Sequence, residues 1–547
     1  MRPWTADLGD GTYRNPVLHA DWSDPDVIRV GDDHYLTASS FGRVPGLPVL
    51  HSRDLVNWRI IGHALDRPVR GSAVPRHDCG VWAPSLRHHD GRFWIFWGDP
   101  DTGLFQVNAP DPRGPWTRPH LLKAGKGLID PCPLWDEDGT AYLAHAWARS
   151  RSGVKNRLTG HRMSPDGREL LDEGRVVVDG DTIPGWFTLE GPKLHRHDGW
   201  YWILAPAGGV ETGWQGAFRA RDFFGPYEEA VVLEQGRTAV NGPHQGAWVR
   251  TARGEDWFLH FQQRGAYGRV VHLQPLRWTA DGWPLAGDAG EPVARHAKPA
   301  TAEPQPPEAP ATDDDFPGGR FGRQWSWAAA PRPGWTTAHG GDALRLTCVR
   351  TADADDLRRL PNVLAQRLPA ESFTVTVDIA LDAAADGARA GLAVVGDAYG
   401  WIGLERSADG VHLVHRFAES DAADERDAAR DRPAPDGRAS LRVEVTPGAR
   451  CRFAADTGDG PRPSGPVFAA TPWRWVGAQL GLFATAPAAP TAPTAPTGPG
   501  GPAGTAHFTH FRITGGTAGP PAPEPAPDPR PPRTSPPPAH TPTGESP

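Results

Sequence analysis

The chain has 547 residues, 22% charged and 38% hydrophobic, an ordinary balance for a folded chain of more than one domain. A net charge of −8 offers no basic surface to nucleic acid or anionic lipid. No stretch approaches the roughly 18 apolar residues of a membrane span, and the first residues, Met1 to Asp7, lack the apolar core of a secretory signal, so the expected compartment is the cytoplasm.

Five hairpins are predicted along the first 290 residues. Ser23-Asp24-Pro25 precedes a turn at Gly31-Asp32, and Val81-Trp82-Ala83 precedes one at Asp90-Gly91. Ile129-Asp130-Pro131 precedes Asp138-Gly139, Leu189-Glu190-Gly191 precedes Asp198-Gly199, and Pro243-His244-Gln245 precedes Gly254-Glu255. Asp-Gly and its relatives between apolar runs signal tight hairpins. A polar segment follows each hairpin, at 52–58, 109–116, 163–168, 221–227 and 276–283, and reads as an edge strand. Dense apolar runs such as 93–97 and 201–204 suit strands covered on both faces. A unit recurring roughly every 50 to 60 residues predicts a five-bladed β-propeller over 1–294, in an all-β protein.

From 295 to 312 the composition turns to Ala, Pro and Glu, a semi-rigid linker. Alternating strands at 344–348, 373–379, 390–395 and 441–445 then predict a β-sandwich over 313–513. The Ala-Pro-Thr-Gly tract 485–504 is expected to be a flexible insert, 507–513 a closing strand, and the Pro-rich 514–547 a disordered tail. Cys79, Cys132, Cys348 and Cys451 have no metal-binding spacing and are expected as free, buried thiols. The 23 Trp residues serve equally well as packing or as sugar-stacking platforms.

The innermost strand of each propeller blade faces the central channel. Asp24, Trp82, Asp130, Glu190 and His244, at one offset from successive hairpins, are therefore expected to converge at one end of it. Singly, Asp24 and Asp130 before Pro read as turn caps, Glu190 as a solvated turn residue, and His244 as a core histidine. The shared offset makes them a set. Hydrolysis of a glycosidic bond needs one ionised carboxylate to activate water and one protonated carboxyl to protonate the leaving oxygen. Asp24 is assigned as general base and Glu190 as general acid, on opposing sides of the channel, with the roughly 6.5–9.5 Å gap of an inverting enzyme. Asp130, a third carboxylate, is expected to hold the proton on Glu190 and to position it. Arg269 reads either as a surface residue or as a cation that bonds sugar hydroxyls and keeps Asp24 ionised. Trp82 and Phe41 are candidates for stacking on the sugar, with core packing equally open for Phe41. His244 is a candidate to help hold a hydrated cation. No Asp-rich calcium loop is present, so no cofactor is required, and a channel Ca²⁺ is left open.

These motifs resemble glycoside hydrolase family 43, in its β-xylosidase and α-L-arabinofuranosidase branch. Asn15-Pro16 through Asp24-Pro25 is similar to the family's opening, Ile129-Asp130-Pro131 to its pKa-modulating Asp, and Glu190-Gly191-Pro192 to its general-acid motif. Gly242-Pro243-His244 and Arg269 with Leu273-Gln274 resemble its channel His and substrate Arg. Pro361-Asn362-Val363-Leu364-Ala365-Gln366 and Ala390-Gly391-Leu392 resemble the concanavalin-like sandwich fused to such propellers. The resemblance implies an inverting exo-glycosidase that removes terminal α-L-arabinofuranose or β-D-xylose from plant-wall oligosaccharides, with a sandwich loop walling the site. Two features depart from the pattern: the Pro-rich insert and tail, and Asp24-Pro25-Asp26 in place of Asp-Pro-Ser. The expected partner is an oligosaccharide, with homo-oligomerisation left open. The rivals are a non-catalytic carbohydrate-binding propeller, a retaining propeller hydrolase of the invertase type, and an adhesion protein.

Overall fold

The computed structural model describes residues 2–69, 74–337, 341–429, 431–488 and 503–516. Five four-stranded antiparallel sheets follow one another in chain order. They open with the strands Asp26–Val30, Trp82–His89, Leu128–Trp135, Lys193–His197 and His244–Arg250, taken below as the inner strands of blades one to five. The inner strands of blades one to four neighbour one another in sequence, and that of blade five packs on blades four and one, so the ring is closed. The inner hairpins turn where the sequence places them. Asp90-Gly91 and Asp198-Gly199 both have positive φ at each residue, the geometry that matches the twist of paired strands.

Thr12–Arg14 pairs with Arg295–Ala297. The first three residues expected as linker are therefore a strand. Asn15 fastens the same seam: its Nδ2 donates to the carbonyls of Leu273 at 2.9 Å and Val293 at 2.8 Å, and its Oδ1 accepts from Leu273 N. The polar segments expected as edge strands are instead largely the turns that join third to fourth strands. An Asp in these segments bonds its own chain two residues on: Asp54 Oδ1 accepts from Val56 N, Asp111 Oδ1 from Arg113 N, and Asp222 Oδ1 from Phe224 N. Such side-chain bonds stabilise turns in competition with sheet ladders.

The second module has two sheets. One runs in the order Leu344–Thr347, Gly504–Gly515, Phe373–Ala383, Arg438–Thr446, Arg450–Asp456 and Arg462–Ala469. The other includes Leu364–Arg367, Gln479–Pro487, Arg389–Val395, Tyr399–Ser407 and Gly410–Ala418. Residues of Phe373–Ala383 alternate buried and half-buried, and Phe373, Val375, Val377, Leu392, Leu441 and Phe508 share one core. Strands Gln479–Pro487 and Gly504–Gly515 take up both margins of the expected insert; 489–502, and the tail from 517 on, lie outside the described residues. All four cysteines are free and buried. No helix of the described residues is long and apolar enough to cross a membrane.

Candidate active site

Each inner strand is entered through one residue with positive φ: Asp24, Ala83, Asp130, Gly191 and Gln245. The next residue is Pro25, Pro84, Pro131, Pro192 or Gly246. In blades two, three and five the pairing to the second strand shifts just beyond this point. Bulges of this kind re-aim side chains at sheet ends. The structural repeat therefore differs by one residue from the offset read in the sequence. Asp24 and Asp130 occupy the left-handed position, whereas Trp82, Glu190 and His244 directly precede it. All five still lie at the same end of the ring.

Asp24 is buried and fully engaged. Its Oδ2 accepts from Ser23 Oγ at 2.8 Å and from Ser39 Oγ, and its Oδ1 accepts from Arg269 Nη1 at 2.9 Å. Arg269 also donates to Ser23 Oγ and to Gln263 Oε1. It is buried beside a carboxylate, so the surface reading of Arg269 falls away. Ser39 passes the link on by accepting from Ala83 N at the entry to blade two. Asp130 Oδ2 accepts from Gly191 N at 2.8 Å, which joins the entries of blades three and four. Burial pushes the Asp130 carboxyl well above its ordinary range, and the nearby Glu190 and Asp24 carboxylates push it the same way. Glu190 is half-buried, with Oε1 2.9 Å from His244 Nε2. Thus Asp24, Asp130 and Glu190, from three different blades, form one electrostatic group, with His244 and Arg269 at its two sides.

Phe41 and Trp82 meet edge to face at 6.5 Å. Phe41 is buried in a cluster with Trp473 and Val476 of the sandwich, against which Trp82 and Trp475 pack. Trp82 is half-buried beneath the Arg151 guanidinium, 5.8 Å from its ring. The sandwich contribution comes from the loop 470–478. Trp473 stacks on His77 at 3.7 Å, and Trp475 stands 5.6 Å from the Arg269 guanidinium. Asp21 fixes that loop: its Oδ1 accepts from Arg269 N and its Oδ2 from Gly477 N, both at 2.9 Å.

Asp26, two residues beyond Asp24, is paired with cations. Asp26 Oδ2 accepts from Arg87 Nη1 at 2.8 Å and from Leu86 N. Lys193 Nζ, 3.8 Å from Asp26, donates to Pro84 O and Ser85 Oγ. The Asp that replaces Ser in the first motif is thus the counter-charge for two buried cations. The one other imidazole nitrogen of His244, Nδ1, lies against Gly213, where an added Cβ would sit 2.9 Å away. Among the described residues no group of three or more His, Cys, Asp or Glu is arranged to hold a metal.

A family model described as Glycosyl hydrolases family 43 matches residues 13–284, and one described as Beta xylosidase C-terminal Concanavalin A-like domain matches 313–496. A candidate beta-xylosidase of Xylanibacter ruminicola is 40% identical over 424 residues, covering 74% of this chain and 75% of its own. The chain belongs to glycosyl hydrolase family 43. A second family 43 relative, the non-reducing end alpha-L-arabinofuranosidase BoGH43B of Bacteroides ovatus, is 30% identical across 77% of this chain and 82% of its own. The fold is shared with BlXynB from Bacillus licheniformis and with xylan beta-1,4-xylosidase from Bacillus halodurans. Their TM-scores are 0.78 and 0.79, each at 24% identity, over 92% and 91% of this chain and 99% of each of theirs.

In this family 43 glycosidase, sequence reasoning missed Ser39, Gln245, Asp21 and Trp475. Gln245, whose Nε2 lies 3.4 Å from Asp130 Oδ2, was signalled by its place beside His244. Ser39 and Asp21 sit among ordinary polar residues. Trp475 lies more than 200 residues beyond Arg269, with no local mark of where its loop docks.

Proposed function

We propose that this glycosidase is an inverting exo-acting enzyme that releases a terminal β-D-xylose or α-L-arabinofuranose from plant-wall oligosaccharides. Asp24 acts as general base. Arg269 and two serine hydroxyls donate to its carboxylate and hold it in place, and it takes a proton from the attacking water. Glu190 acts as general acid toward the leaving oxygen, oriented by His244. The observation that carries the reading is Asp130, buried between the other two carboxylates with its proton affinity raised by burial and by both of them. Burial and its two neighbours favour the protonated form of Asp130, and Glu190, half-buried rather than buried, is the carboxyl open to the leaving oxygen. Asp130 holds Gly191 N and with it the main chain next to Glu190. The relatives named for beta-xylosidase and for arabinofuranosidase support both pentoses. The sandwich loop with Trp473 and Trp475 supports a walled pocket that takes chain ends.

The test is a panel of aryl pentosides and arabino-xylo-oligosaccharides, with product anomers followed by proton NMR. A first-formed product of inverted configuration, released from the chain end, is the expected result. Retained configuration excludes Asp24 as a water-activating base, and absence of turnover on every pentoside leaves a sugar-binding propeller in its place.

A further inference from the structure

We infer that Phe187, braced by Trp214, is the platform on which the departing sugar of the substrate stacks, a pyranose unit of the oligosaccharide on the far side of the cleaved bond. This rests on the proposed role of Glu190 as the acid. Residues 180–189 cross from Arg175–Asp179, the outer strand of blade three, to the inner strand of blade four. The sheets are antiparallel, so this crossing lies at the end of the ring where Glu190 sits. The turn between Trp200–Ala207 and Trp214–Ala220 of blade four opens at the same end.

The crossing segment is pinned there. Phe187 O accepts from Gly208 N at 2.8 Å, and Glu190 N donates to Pro206 O at 3.2 Å. The Phe187 ring meets Trp214 edge to face at 5.5 Å, and Trp186 meets Trp214 from another side at 6.1 Å. Gly208 leaves room for this arrangement, since a Cβ there would come within 2.3 Å of the Trp214 ring.

Exposure sets Phe187 apart. At 44% exposed, it is the one aromatic ring among the exposed large hydrophobic side chains of the described residues. Phe187 stands outside the core cluster that takes in its neighbours Leu189 and Trp186. A rigid aromatic face held open at the mouth costs solvation unless something covers it. The C–H face of a pyranose is flat and apolar and packs on such a ring. The acid protonates the oxygen that leaves, so the departing sugar lies on the Glu190 side, three residues along the chain from Phe187.

The test compares Phe187→Ala and Phe187→Trp with wild type on two substrates that present the same terminal xylose. Xylobiose places a second sugar on the leaving side, whereas β-D-xylosyl fluoride releases only fluoride. The kcat/KM ratio, xylobiose over fluoride, is expected to fall about tenfold or more in Phe187→Ala and to stay near wild type in Phe187→Trp. Equal losses on both substrates would make Phe187 merely structural and overturn the platform, as would an unchanged ratio. A wild type inactive on both substrates and on arabinofuranosides removes the glycosidase reading itself, and the platform with it.

Discussion

Asp130 links the chemistry of the site to its stability. Its carboxyl is pushed well up by burial and by its two neighbours. A raised carboxyl favours the fold below the ordinary carboxylate range, and that contribution is lost as pH climbs through the raised value. Asp130→Asn removes the charge and keeps an acceptor for Gly191 N. The variant is expected to be more stable than wild type near neutral pH, by about 1–3 kcal/mol, and to lose that advantage in acid. Its activity should fall and the basic limb of its pH–rate profile should move; melting curves and rates at several pH values check both. Asp24→Asn and Glu190→Gln are each expected to lower kcat on a natural pentoside by about 10²–10⁴-fold, with melting curves checking that each variant is folded at the assay temperature. The placement of the three carboxylates at one end of the ring was legible in the sequence because Asp-Pro and Glu-Gly-Pro stand at strand entries that chain spacing can count. The one-residue displacement of Trp82, Glu190 and His244 was not, because the left-handed position falls on the following residue there, Ala83, Gly191 or Gln245, without changing the chain spacing.

At the scale of elements, the loop 470–478 is the piece that spacing could not locate. Alternation in 373–379 and 441–445 predicts strands, but which loop of a sandwich meets which blade depends on the docked surfaces. Asp21 makes that docking specific, because one buried carboxylate serves the main chain of Arg269 and of Gly477. Asp21→Ala leaves two amides without this acceptor. Unpaired buried amides cost about 1–3 kcal/mol each. The KM for a pentoside is expected to rise about tenfold, more than kcat falls, with Asp21→Asn between the two because its amide serves one partner. Steady-state kinetics on the two variants decide it. If kcat alone falls, the loop does not wall the sugar. The Asp-centred turns 53–58 and 221–227 teach the same lesson at smaller size: a polar repeat marks a regular feature of each blade, but not whether that feature is strand or turn.

For the whole molecule, the ring is closed by short-range chemistry between distant stretches. Asn15 ties Leu273 and Val293 to the chain just after Thr12–Arg14. Asn15→Ala is expected to lower stability by about 1–3 kcal/mol, seen as a lower thermal midpoint with kcat/KM of the folded enzyme unchanged. The five-blade plan was legible because each blade repeats its own hairpin; the seam was not, because three-residue strands carry no periodicity.

The order in which this site is assembled follows from the same seam. A nascent chain leaving the ribosome holds both acids from residue 190 onward, yet Arg269 arrives later and residues 295–297 close the circle only after that. Trp473 and Trp475 emerge last, some 200 residues behind Arg269. During synthesis the carboxylates at the end of the ring therefore wait beside an unfinished wall, which is complete only when the second module has folded back onto the first.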